Sequence, residues 1–181
     1  MLLRNIADNA LRNVQVRPFA LSDAEGILAL QTVFSNAAVT TFHASEYVAE
    51  FVVARTADEL LRSEGKIQAV KIDVEWHEPQ VLRGMQGILD EQQPQIIIEF
   101  DPHMLARQGA ADPCAHLAEL MARGYRLSII EGDGRLQAVN RPAEIVDYWR
   151  ALNRKLDTID DRPLELAALR ADTQLRTTNQ S

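Results

Sequence analysis

Apolar residues in the middle of this chain follow two periods that take turns. Apolar runs with the length of a buried strand occur at residues 67–72, at Ile96-Ile97-Ile98 and at residues 125–130. Between them, Val81, Leu82, Met85, Ile88 and Leu89 fall on one helical face, and so do Leu117, Leu120 and Met121. Strand, helix, strand, helix, strand is the order of a parallel sheet covered by helices. Residues 125–130 and 135–139 flank Gly132-Asp133-Gly134, a turn sequence that predicts a hairpin adding one antiparallel strand. A last amphipathic helix carries Ile145, Val146, Trp149, Leu152 and Leu156; on that face Trp149 is expected to be core or interface material. Beyond Asp157 the chain turns polar, with one weak helix at most before its end.

Punctuating residues set the boundaries. Pro79 is pre-shaped for the first position of a helix. Thr56-Ala57-Asp58-Glu59 forms a capping box for a short helix ending at Gly65, and Asp112-Pro113 caps another that Gly124 closes. Upstream, residues 1–11 have Leu2, Leu3, Ile6 and Ala10 near helical spacing. Residues 14–21, 26–33 and 47–54 are strand candidates, and 34–46 lacks periodicity and is predicted to be a loop. No internal repeat or low-complexity segment occurs.

Composition narrows the function classes. With 181 residues, 46% hydrophobic and 25% charged, the chain suits one globular domain with a sizeable core. A net charge of −7 argues against a nucleic-acid partner, since phosphates call for concentrated Lys and Arg. Cys114 stands alone, which excludes an intrachain disulfide and a cysteine zinc cluster and suits the cytoplasm. No stretch approaches the roughly 20 apolar residues that span a bilayer. His43, His103 and His116 lack ligand spacing with carboxylates, so no metal site is expected.

The run Val70-Lys71-Ile72-Asp73-Val74-Glu75-Trp76-His77-Glu78 resembles the signature of the FkbM family of S-adenosylmethionine-dependent methyltransferases. Val81-Leu82-Arg83-Gly84 and then Pro94 with Ile96-Ile97-Ile98-Glu99 continue the match. Upstream, Asn13-Val14, Ala20-Leu21-Ser22-Asp23, Glu25-Gly26 and Thr56-Ala57-Asp58-Glu59-Leu60-Leu61 fit in the expected order. The resemblance covers most of residues 5–139 and implies a Rossmann-like class I methyltransferase sheet, α/β and mostly parallel, with its last strand antiparallel. It also implies transfer of a methyl group from S-adenosylmethionine to a hydroxyl, on a small molecule or a glycan.

Two features of such a fold are missing. The cofactor normally rests on a glycine-rich turn after the first strand, with an acidic residue after the second. Here the close glycine pairs are Gly84 with Gly87, in a helix, and Gly132 with Gly134, in a hairpin. By the resemblance, the chain starts after the second strand, so two strand–helix units, each on the order of 30 residues, are absent. The expectation is therefore a partial methyltransferase domain over residues 1–156, lacking its first two strands, and a polar tail over 157–181. Sheet edges left open in this way would favour self-association. The rival reading is an inactive remnant or an interaction domain on the same scaffold.

Each candidate residue carries two readings. Asp73, ending the central strand, could orient the acceptor or face the cofactor, or could simply cap a helix. His77 could take the acceptor's proton, or its place there is incidental. Ser22 and Asp23 lie where relatives contact adenine, and they also make an ordinary polar turn. Glu75 and Glu78 could serve the acceptor pocket or complement the next helix's N-terminus. Glu99 could line the acceptor site or stand solvated at a strand end. Trp76 occupies the position at which relatives carry glycine; it narrows the pocket, stacks on an acceptor, or marks relaxed selection.

Overall fold

The computed structural model describes residues 2–33, 36–40, 49–107, 112–156 and 162–170. The chain is a mixed α/β protein whose described strands form two sheets rather than one. The first holds β1 (Ala20–Leu21), β2 (Gly26–Val33), β3 (Asn36–Thr40) and β4 (Ala49–Arg55), in the order β1-β4-β2-β3. β1 runs parallel to β4, and the other pairs are antiparallel. The second holds β5 (Ala69–Ile72), β6 (Gln95–Phe100), β7 (Tyr125–Ile130), β8 (Leu136–Val139) and β9 (Leu164–Arg170), in the order β5-β6-β9-β7-β8. β5 and β6 are parallel, and β9 runs antiparallel to both β6 and β7. β1 and β5 are each an edge of their sheet.

The core lies on the second sheet. Ile96, Ile98 and Phe100 alternate inward along β6 and are fully buried, as period two requires. Helices α3 (Glu78–Arg83) and α4 (Gln86–Glu91) cover them with Val81, Leu82, Ile88 and Leu89, joined by Met85 between the two helices, all buried. Each such side chain contributes roughly 1.5–3 kcal/mol by leaving water. The predicted apolar face is thus right, but it belongs to two short helices. The break falls at Gly84, where a Cβ would sit 2.0 Å from the Ser22 carbonyl oxygen. Only glycine permits that approach, which draws the turn after β1 against α3.

Other contacts join the two sheets nearby. Helix α2 (Ala57–Leu60) is capped by Thr56, whose Oγ1 accepts from the Glu59 amide at 3.3 Å. Asp58 of α2 accepts from the amides of Gly87 and Ile88, both at 2.9 Å, and so caps α4. Arg17 reaches Glu64 at 2.6 Å across the same seam. Helices α5 (Pro102–Arg107), α6 (Ala115–Ala122) and α7 (Pro142–Leu156) complete the layers, and α1 (Leu2–Asp8) has no buried residue.

Several expectations need correcting. The strand expected over 14–21 is reduced to Ala20–Leu21; Val14 and Val16 are exposed and pair with no strand among the described residues. Within the expected loop at 34–46, residues 36–40 pair with β2; residues 34, 35 and 41–46 lie outside the described residues. The largest change concerns the stretch expected as a polar tail. Leu164–Arg170 is a strand in the middle of the second sheet, with Leu166 and Ala168 fully buried. The sheet is consequently less parallel than expected, since β9 separates β6 from β7. The hairpin of β7 and β8 forms as predicted, with Gly134 at φ +83° in its turn.

Candidate functional site

The C-terminal ends of β5 and β6 carry a cluster of carboxylates. Alternation along β5 turns Ile72 inward and puts Lys71 and Asp73 together on the outer face. On β6 the same rule places Glu99 opposite the buried Ile98 and Phe100. Carboxylate oxygens of Asp73, Glu75 and Glu99 come within 4.8 Å of one another, an all-oxygen arrangement of the kind divalent cations accept. That convergence was not foreseen from sequence, where no metal-type cluster was expected. Glu165 joins from β9, directly across the ladder from Glu99. Lys71 Nζ bridges the group, 2.8 Å from Asp73 and 3.2 Å from Glu165.

Crowded like charges leave a mark on the acids. Glu99 is pushed up to about 7, first by burial and then by repulsion from Asp73, Glu75 and Glu78. Burial, followed by Asp73, also raises Glu75. Lys71 is held above its ordinary value, chiefly by its bond to Asp73. Lys71 and Glu165 are members of the site that sequence reasoning missed. Lys71 stands two residues before Asp73, a spacing that could have revealed it; Glu165 gave no such signal.

The loop after β5 is held from within. Glu75 and Trp76 adopt φ values of +51° and +73°, the left-handed region that costs residues with a Cβ about 1–2 kcal/mol each. Glu78 sustains this turn. Its buried Oε1 accepts from the amides of Val74 and Trp76, both at 3.2 Å. Burial raises the Glu78 carboxyl, and bonds from its own amide and those of Val74 and Trp76 work against that rise. Trp76 is half-buried against the core cluster.

His77 and Ser22 meet at the seam between the sheets rather than among the acids. His77 Nε2 lies 3.0 Å from Ser22 Oγ, and both residues are buried. Ser22 Oγ donates to Asp23 Oδ1 at 3.2 Å, so the consistent assignment has the ring donating to Ser22 through Nε2–H. Burial lowers the His77 pKa; Asp23 pulls it up and Arg83 pushes it further down. Asp23 is itself paired with Arg83 at 3.2 Å. Helix α3 begins at Glu78 with His77 as its N-cap, so Asp73 is not the helix cap.

The site therefore belongs to an α/β protein with an acidic cluster at the carboxyl ends of parallel strands, the edge where ligands of such sheets gather. The FkbM methyltransferase domain matches residues 8–127, and the chain belongs to that family. Neither the comparison with curated proteins nor that with solved structures finds a match. Among the described residues, no helix is long and apolar enough to cross a membrane.

Proposed function

We propose that this chain serves transfer of a methyl group from S-adenosylmethionine to a hydroxyl of a small molecule or glycan. The observation carrying this reading is the convergence of Asp73, Glu75 and Glu99 in a chain of the FkbM family. Strand order lends support, because β5, β6 and β7 share one direction and an antiparallel strand, β9, is inserted beside β6, which suits a Rossmann-like methyltransferase sheet.

The donor set fits the cationic end of this cofactor. Carboxylates that repel one another gain from a positive group brought among them, so Asp73 and Glu75 would hold the sulfonium and amino end. Bound S-adenosylmethionine would supply a methyl group on sulfur, open to in-line attack by an oxygen. Glu99, with a pKa near 7, is suited to accept the proton of an attacking hydroxyl at neutral pH. Ser22 and Asp23 offer less to adenosine, being engaged with His77 and Arg83. Trp76 at a left-handed φ where relatives carry glycine favours the second reading, a scaffold that has lost catalysis.

Calorimetric titration separates the two. The chain should bind S-adenosylmethionine weakly, near the millimolar range, yet several-fold more tightly than its neutral demethylated product. Asp73→Asn with Glu99→Gln should abolish that preference. Equal affinity for the charged and neutral forms in the unaltered chain would sink the proposal and leave the scaffold reading.

A further inference from the structure

We propose that the groove between α5 and α7 binds the body of the methyl acceptor, and that it takes a ring-bearing organic acid. The groove is open to solvent and offers about 470 Å³, within the range of small-molecule sites, and Pro102, Ala106, Pro113 and Val146 make its wall mostly apolar. Two rings lie together there, His103 and Trp149, tilted by 52° with centroids 6.4 Å apart. Such walls favour a flat ring over an extended chain.

Polar features of the groove define the rest of the ligand. Trp149 Nε1 is buried and has no hydrogen-bond partner among the described residues. A buried indole N–H ordinarily finds an acceptor, and leaving one unmet costs about 1–3 kcal/mol. That N–H is closed to solvent as it stands, so an oxygen acceptor on the ligand meets it only when the indole turns toward the groove. Arg150 adds positive charge at the rim; its guanidinium is mostly exposed and lies 3.6 Å from Asp147, too loose a pair to satisfy it. Among the described residues, no carboxylate lines the groove. In a chain of net charge −7, this is a place for an anion.

Position connects the groove to the acidic cluster. Helix α5 starts directly after β6, and Asp101 fixes that start by accepting from the amides of His103 and Met104, both at 3.0 Å. From Glu99 to Pro102 the backbone can extend at most about 11 Å, so the groove's first wall residue follows closely on the strand end that carries Glu99. A cationic donor among acids and an anionic acceptor beside Arg150 would be sorted by charge. Calling the ligand an acceptor rests on the methyl-transfer reading; the groove's binding chemistry does not.

The test is an NMR titration of the full chain, labelled with ¹⁵N, using 4-hydroxybenzoate and phenol as probes. Trp149→Phe identifies the Trp149 indole signal by its loss. We expect 4-hydroxybenzoate to move that signal saturably and leave the Trp76 indole unmoved, with phenol binding about tenfold more weakly. Arg150→Gln, an exposed change that leaves folding intact, should bring 4-hydroxybenzoate to the level of phenol. No saturable shift of Trp149 up to about 10 mM would overturn the site. Equal binding of both probes, unaffected by Arg150→Gln, would overturn the assignment of an acid. Failure here with the preference for S-adenosylmethionine intact leaves the proposed function standing. Binding here without that preference counts against the proposed function alone.

Discussion

Glu78 accepts the backbone amide of Trp76 at 3.2 Å while Trp76 sits at φ +73°, so a buried carboxylate holds a strained residue in place. The same oxygen takes the Val74 amide, and these two bonds shape the loop that presents Asp73 and Glu75 to the site. Removing the acceptor leaves two amides unmet in a part-buried turn. Glu78→Ala should therefore cost about 2–4 kcal/mol, whereas Glu78→Gln, which keeps an oxygen there, should cost about 1 kcal/mol or less. Urea unfolding of both variants measures the difference. Equal losses would mean that Glu78 matters through packing and not through these bonds.

Backbone strain at Trp76 is separable from the packing of its side chain. Trp76→Ala and Trp76→Gly lose the same half-buried indole, so they differ chiefly in how easily they hold φ +73°. Glycine is usually the less stable of such a pair, because it is freer when unfolded. At this position the order should reverse, with glycine more stable by about 1 kcal/mol. Finding alanine equal or better would show that the loop relaxes out of the left-handed region.

A buried histidine and a half-buried glutamate give this chain opposing responses to pH. His116 is buried with Nε2 unbonded among the described residues, and burial brings its pKa down to about 4 from 6.5. Between those values the unfolded chain binds more protons, so stability falls as pH falls, by about 3 kcal/mol over the window. Glu99 acts in the other sense. Its value is raised from 4.5 to about 7, so the stability it adds is present below 4.5 and lost as pH rises through 7. The unaltered chain should consequently show a shallow profile between pH 4 and 7. His116→Phe, which keeps a ring beside Phe100, should unmask stability that declines with rising pH, and Glu99→Gln the opposite slope. Thermal melts across that range decide it; parallel profiles for both variants would refute the assignment.

Where local pattern and tertiary environment agree, the sequence was a good guide. Val81, Leu82, Met85, Ile88 and Leu89, spaced for one helical face, are all buried, and Ile96-Ile97-Ile98 lies in a strand. Leu164-Glu165-Leu166-Ala167-Ala168-Leu169-Arg170 shows the limit. Its leucines and alanines favour a helix locally, and only the slot between β6 and β7 makes it a strand, so pairing overrides propensity. The site divides in the same way. Asp73 and Glu99 were marked by their places at strand ends, which a linear pattern records. The bond between Ser22 and His77 spans 55 positions, and Glu165 reaches Lys71 only through β9, so neither could be read along the chain.

Asp73 and His77 should separate into a residue of the reaction and a residue of the scaffold. Asp73 is about half exposed, and its bond to Lys71 lies at the surface, so its loss should scarcely affect folding. It nonetheless stands in the carboxylate cluster proposed to receive the methyl donor. Losing one charge-stabilising group from such a site typically costs about 100-fold in rate. His77 is buried and bonded to Ser22, tying the turn after β1 to the start of α3. His77→Ala should thus lower stability by about 1–3 kcal/mol, while single-turnover methyl transfer per folded molecule falls less than about tenfold. Both rates are best measured on the full chain, at S-adenosylmethionine concentrations well above its affinity. Melting curves taken alongside keep folding and chemistry apart. If Asp73→Ala retains near-full rate with unchanged melting, the methyl donor is held elsewhere. If His77→Ala melts normally and loses as much rate as Asp73→Ala, His77 belongs to the reaction and its bond to Ser22 opens when substrate binds.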